Sequence, residues 1–322
     1  MMGGAFKTAG SISMTVLRTV ATVVVASAMF GAKARSQDGG LLLPRHRIVY
    51  ESTSFYRYNA MTASENLAVR YRLRLYNKKG PMWEDAHFSF GFQPTINWSQ
   101  TRLGPAVTIK PIGFFALTGG YYYNLWYGAL GSLRSYSSLA DNYFLPDNFE
   151  DSGEDYSSSG HEATIGARLT FVIGPFVFAD SADFFWTKMA LKDGHTMYYQ
   201  PLFDIVVENG GWFLSNDADV GFITPFGLTA AVRTSLVHAF YSDGLTESSA
   251  AAAGMTTPTV RLGPLLTYTF FDEPPRRFNK PTLVLMTSWW IRNRFRTGEE
   301  VGQGVPYVFF AFKFEGDLWW RD

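Results

Sequence analysis

The sequence predicts an all-β chain: about twelve antiparallel strands closed as an up-and-down barrel. Three observations carry this prediction. Apolar and polar residues alternate with a period of two in segment after segment, and no comparable stretch holds a helical period. After residue 34 there is also no uninterrupted apolar run of 18 residues, so membrane-spanning helices are not expected. In a strand, successive side chains point to opposite faces, and such alternation separates an apolar surface from a polar one.

Composition narrows the class. The 322 residues include no cysteine, which excludes a disulfide framework, a thiolate metal site and a cysteine nucleophile together. Charged residues make up 17% and aromatics 17%, against about 25% charge in an ordinary soluble domain. The formal net charge is zero, and a nucleic-acid partner would favour a clearly basic domain. Nothing in the pattern calls for a cofactor or a metal.

The elements follow in order. Lys7 and Arg18 precede the apolar "TVATVVVASAMFGA" at 19–32, and Ala32-Lys33-Ala34 supplies small residues around a cleavage point. Residues 1–34 therefore read as a secretory signal peptide, too short for a comfortable helical span of about 20 residues. An N-terminal anchor is the alternative. Residues 35–45 are expected as a leading segment, and 46–320 as the barrel.

Strand 46–58 opens the barrel. Within strand 64–77, "ENLAVRYRLRLY" sets Arg70, Arg72 and Arg74 on one face and Leu67, Val69, Tyr71, Leu73 and Leu75 on the other. In strand 86–98, Phe88, Phe90 and Phe92 alternate with His87, Ser89, Gly91 and Gln93. Strands 104–117 and 120–136 come next, joined by a short "TGG" at 118–120. In "HEATIGARLTFVI" (161–173), Ile165, Leu169 and Phe171 alternate with Glu162, Thr164 and Arg168. Strand 176–188 alternates poorly. In "TMYYQPLFDIVVE" (196–208), Tyr199, Phe203, Ile205 and Val207 oppose Gln200, Asp204 and Glu208. The longest stretch, 218–241, reads as one strand that Pro225 either bulges or divides. Strands 258–271, 281–294 and 304–320 complete the set. Pro111, Pro201, Pro225 and Pro264 fall inside proposed strands, where bulges are expected.

Which face is wet decides the setting. The apolar face is bulky on nearly every strand, and an interior filled with so many Phe, Tyr and Leu would be overpacked. The polar face is small and glycine-rich, as a lumen would be. Aromatics gather near strand ends: Tyr121, Tyr123, Tyr268, Phe270, Trp319 and Trp320 at one rim, Trp98 and Trp289 toward the other. In this pattern the chain resembles the bacterial outer-membrane β-barrel proteins, a porin-like class, over about 275 residues. The resemblance implies a transmembrane barrel in the bacterial outer membrane with both termini in the periplasm, and 35–45 as an N-terminal periplasmic segment. The two longest connections, 137–160 and 242–257, follow the fifth and ninth strands, as outward loops should. The last strand, with Val308, Phe310, Phe312, Phe314, Leu318 and Trp320 in phase, looks like the signal read by the barrel-insertion machinery, although it ends in Arg321-Asp322. A secreted soluble barrel or sandwich is the competing architecture.

The same phase turns eleven basic groups inward: Arg70, Arg72, Arg74, Lys110, Arg134, Arg168, Arg233, Arg261, Arg292, Arg294 and Lys313. Asp204, Glu208 and Glu315 are the clear inward acids, while the phase at Asp180 and Asp183 is ambiguous. Confined like charge concentrates counter-charge, and basic rings in pores favour anions. The expectation is a channel or binding lumen for small polar or anionic solutes, with Arg70, Arg72, Arg74, Arg168, Arg233 and Arg261 as its main contacts. The blander reading is that these arginines pair with acids and brace a closed lumen. Loop 137–160 carries six acids, whose spacing does not match a calcium loop; a merely solvated acidic loop is the simplest account, with binding of divalent ions near lipopolysaccharide, or folding into the mouth against the arginines, as the alternatives.

Two other classes compete. His87 and Ser89 share a face, the spacing some outer-membrane lipid hydrolases use for base and nucleophile, but Phe90 stands where their asparagine follows and the pair faces the lumen. An enzyme is therefore not expected. A non-conducting adhesion or structural barrel acting through its outer loops is the remaining alternative.

Overall fold

The computed structural model describes residues 42–59, 61–128, 133–138, 156–242, 257–293 and 304–322. Residues 1–34, expected from the sequence as a signal peptide, most of loops 137–160 and 242–257, and Arg294 lie outside them.

Fourteen strand segments form one sheet closed on itself. It begins with β1 (His46–Tyr58) and β2 (Thr62–Arg74). The third stave is β3 (His87–Phe92) continued by β4 (Thr95–Asn97), and the fourth is β5 (Gln100–Leu103) continued by β6 (Pro105–Ile112). β7 (Phe115–Tyr127) is the fifth stave, and the two-residue β8 (Ser135–Tyr136) stands outside the barrel sheet. β9 (Ser157–Ile173) and β10 (Phe176–Met189) follow, and then β11 (Met197–Gln200) and β12 (Ile205–Glu208), which pair with β8 in a separate sheet. β13 (Trp212–Ile223), β14 (Leu228–Phe240), β15 (Thr259–Thr269), β16 (Asn279–Arg292) and β17 (Tyr307–Arg321) finish the ring. β1 bonds to β2 on one side and to β17 on the other, so twelve antiparallel staves close with no free edge.

The count of twelve agrees with the sequence, but two assignments inside it change. Residues 196–208 are no barrel strand: Pro201 and Asp204, the latter with φ of 56°, turn the segment back as the β11–β12 hairpin. Residues 218–241 are two strands, divided at Thr224–Gly227. Thr224 Oγ1 accepts from Leu228 N at 3.0 Å, and Gly227 takes φ of 91° where a Cβ would meet Thr269 O at 2.3 Å. A barrel strand needs only about 9–11 residues to cross a bilayer, so one of 24 was too long from the start. "TGG" at 118–120 lies inside β7, and the turn falls at 113–114 instead. This shift carries Tyr121 and Tyr123 away from the rim assigned to them. Pro111 sits at a register irregularity between Ile109 and Ile112, while Pro264 stays within β15 opposite Val232.

The connections sort by end. The longest, after β7, β10, β14 and β16, lie at one end, here the outer end, where 59–61 and 98–99 are short; at the other end 113–114, 174–175 and 224–227 are short, and 75–86 and 270–278 are longer. Large apolar side chains face away from the lumen and stay exposed: Ile165 at 60%, Val220 at 57%, Phe90 and Val232 at 52%. Charged side chains face in. That is the arrangement of a membrane-spanning barrel rather than of a soluble one, whose apolar face would be hidden. Asp180 and Glu65 are exceptions: Asp180 faces out, accepting from Asn216 Nδ2 at 2.8 Å, and Glu65 faces out, accepting from the Ser52 and Ser54 hydroxyls, whereas Asp183 faces the lumen.

Candidate functional site: a closed mouth above a charged chamber

The lumen has two parts. At the outer end, the 190–211 connection folds inward rather than outward. Its hairpin of β11 and β12 gains β8 as a third strand, with Met197 opposite Tyr136. Tyr198, Ile205 and Val207 of this insert pack with Leu133 against inward-facing Trp126, Met189, Phe213, Val237 and Ala239 from four different staves. Tyr198 is 1% exposed and Phe213 fully buried, and burial pushes the Tyr198 phenol up from its ordinary value. The tip of the hairpin reaches the opposite wall. Arg57 near the outer end of β1 donates to Leu202 O at 2.6 Å and to Pro201 O, and Asn293 donates to Asp204 Oδ2 at 3.0 Å. β1 stands across the ring from β10, so the insert bridges the mouth.

Below it lies a cavity of about 1310 Å³. Phe185 forms its ceiling, stacked on Phe213 at 4.7 Å and tilted against Phe203 at 4.9 Å. Its floor is built from the inner connections, with Asp85, Phe114 and Pro274 among the lining residues.

The arginine ladder faces this cavity as the alternation requires, but it is not a bare basic surface. Glu51 of β1 accepts from Arg70 at 2.7 Å and from Arg72, while Glu315 stands 3.6 Å from Arg72. Arg47 makes a two-point contact with Asp317, at 2.6 and 2.9 Å. Arg102 pairs with Glu162 at 2.7 Å and lies 3.4 Å over the Tyr122 ring, and Lys110 pairs with Asp85. Burial acts to raise the Asp85 carboxyl, but His87 and Lys110 outweigh it and hold the group well below the usual carboxylate range. Eight basic and seven acidic groups line the chamber among the described residues. The expectation of a predominantly basic lumen is thus corrected, because Glu51, Glu162, Asp217, Asp219 and Asp317 face inward and pair with arginines, and Asp183 faces inward beside them.

The other sequence candidates separate. Arg74 donates to Leu43 O and to Asn77 at 3.3 Å, at the inner rim. Arg233 is clamped by Asp219 through two 2.7 Å contacts and by Asp217 at 3.2 Å. Arg261 lies over Tyr307 at 3.9 Å and Trp290 at 5.0 Å, outside the chamber. Arg168 lines the chamber and is exposed to it. Asp204 and Glu208 belong to the insert, not to a barrel wall: Asp204 accepts from Tyr199 Oη at 2.6 Å, and Glu208 accepts from Ser242 N at 2.7 Å. Arg134 lies beside β8, and Arg292 is exposed at the end of β16, donating to Pro258 O at 2.9 Å. His87 Nδ1 lies 2.8 Å from the Asp85 carbonyl oxygen, and Ser89 is buried at 1% exposure.

No protein-family model matches the sequence, and no curated protein matches it. Among solved structures, the β domain of the Bordetella autotransporter BrkA aligns at 12% identity, covering 84% of this chain and 99% of that one, with a TM-score of 0.42. The NanC porin aligns at 10% identity over 84% of this chain and 100% of its own, at TM-score 0.38. OccAB1 of Acinetobacter baumannii aligns at 9% over 88% and 99%, at 0.37. These scores are all below 0.5, and the barrel assignment rests on the strand pairing itself.

Proposed function

We propose that this chain is a bacterial outer-membrane barrel that holds small polar solutes in its inner chamber and passes them when the insert leaves the mouth. One observation carries the reading: a chamber of about 1310 Å³, lined by charged and hydroxyl groups, lies beneath a mouth closed by the chain's own hairpin. A barrel filled solely to be rigid would pack its interior with side chains throughout. Small solutes are the natural occupants, and balanced charge favours polar over strictly anionic ones. Arg70, Arg72, Arg102 and Arg168 are the wall groups a solute would meet. Its standing partners are the bilayer, lipopolysaccharide at the long-loop end, and the insertion machinery reading β17. A non-catalytic role fits this reading: Ser89 is buried at 1% exposure, and Phe90 follows it where the lipid hydrolases carry asparagine.

The test is conductance of purified, folded protein in planar bilayers. The wild type should conduct weakly or intermittently, and Arg57→Ala, which frees the hairpin tip, should raise the open fraction at least severalfold. Reversal potentials should show little ion preference. Silence from both proteins, with no solute-driven liposome swelling, removes the transport reading. The burial of Tyr198, Met197 and Phe213 favours one alternative, a permanently sealed structural barrel, and that same silence is what it predicts.

A further inference from the structure

The chamber's charges are nearly all consumed by one another. Glu51 is taken by Arg70 and Arg72, Lys110 by Asp85, Arg102 by Glu162, and the loop ions at 272–280 pair among themselves. Glu84 accepts from Gly80 N at 2.9 Å. Among the described residues, two lining groups of opposite sign are left without an ion pair or side-chain hydrogen bond: Arg168 of β9 and Asp183 of β10. They are neighbours. Asp183 pairs in register with Gly166, two residues before Arg168 on the same inward face, and Arg168 pairs with Ser181. Gly166 makes room for the acid: a Cβ there would meet Asp183 Oδ1 at 2.0 Å. The side-chain hydroxyls of Thr164 and Thr170 flank the pair along β9.

We infer that this β9–β10 wall is a subsite for a small zwitterion bearing one carboxylate and one ammonium group, such as an amino acid. The inference rests on the reading of the chamber as a solute-holding space. The solute's carboxylate takes the Arg168 guanidinium, its ammonium takes the Asp183 carboxylate, and the threonine hydroxyls accept or donate the remaining hydrogen bonds. Selection has a repulsive side as well. A simple anion on Arg168 lies next to the Asp183 charge, and a simple cation on Asp183 lies next to Arg168, so each loses through like-charge contact what it gains. Only a solute with both charges satisfies both groups.

The probes are β-alanine, propionate and propylammonium, titrated into full-length folded protein in detergent micelles and read by calorimetry or saturation-transfer NMR. β-Alanine should bind at least about tenfold more tightly than either single ion, a difference of about 1.4 kcal/mol. Asp183→Asn should bring propionate level with β-alanine, and Arg168→Gln should do the same for propylammonium. Arg168→Lys should retain the preference for β-alanine, which guards against a variant that merely misfolds. Propionate binding as tightly as β-alanine to the wild type overturns the inference, and so does absence of binding by all three. Conductance is read separately. A conducting barrel without zwitterion preference sinks this subsite alone, whereas a silent barrel that binds β-alanine through Arg168 and Asp183 sinks the transport reading instead.

Discussion

The outer and inner halves of the lumen use the same wall strands in opposite ways. Near the mouth, inward positions carry Trp126, Met189, Phe213, Val237 and Ala239, and they bury the insert by apolar contact. Further in, inward positions carry Arg70, Arg72, Arg102, Arg168 and Asp183, and they line a cavity crossed by ion pairs. On β10, Phe185 and Asp183 are two residues apart on one face, so the boundary is a single step of the strand. The difference teaches that inward does not mean polar in this barrel. The hydrophobic effect seals the mouth, while paired charge keeps the chamber open and soluble.

Perturbing each half should break this contrast in a distinct way. The largest effect is expected from Phe213→Ala, which leaves a cavity beneath the insert and costs about 3–5 kcal/mol. It should raise bilayer conductance and lower the temperature at which the folded gel band is lost. Asp317→Asn strands buried Arg47 and should cost about 3 kcal/mol, at the lower end for a broken buried pair because the amide oxygen still accepts. Denaturant unfolding should report that loss with no gain in conductance, since the mouth is untouched. Arg57→Ala removes two charge-assisted bonds to the hairpin tip and should destabilise closure by about 2 kcal/mol. Limited proteolysis at 201–204 should speed up while the unfolding midpoint barely moves; unchanged proteolysis would mean the tip is held by packing alone.

The smallest effect is tied to pH at the inner floor. The folded Asp85 carboxyl is held below its ordinary range, so its contribution is present above that range and is lost as pH falls through the lowered value. Docking of the 75–86 connection should therefore survive mild acid and loosen only well below the usual carboxylate range. Amide exchange at Gly113, which donates to Met82 O at 2.8 Å, is the readout. Loosening already near neutrality would contradict the Asp85–Lys110 pairing.

Much of the barrel was legible because alternation is a local property. Leu67 to Leu75 and Arg70 to Arg74 sort to opposite faces by strand geometry alone, and the loop lengths after β7 and β14 carry the orientation. The insert was not legible, since 197–200 and 205–208 show the same strand-like chemistry as a wall. The informative signal was Pro201 with Asp204 close behind, a turn pairing inside an apparent strand. The inward acids were hard to place for a related reason: β10 alternates weakly, so Asp183 had no clear phase, and with the strand expected only from 218 Asp217 fell in a connection, whereas β13 begins at Trp212.

Sequence by itself determined an all-β wall of about twelve staves, greasy outside and charged within, because a two-residue period follows from the backbone of each strand. Tertiary structure alone decided that the mouth is bridged and that the arginines are matched. Those facts depend on residues far apart in the chain, Arg57 meeting Pro201 across 144 positions and Arg47 meeting Asp317 across 270. Periodicity says which way a side chain faces; only closure of the ring says what it finds there.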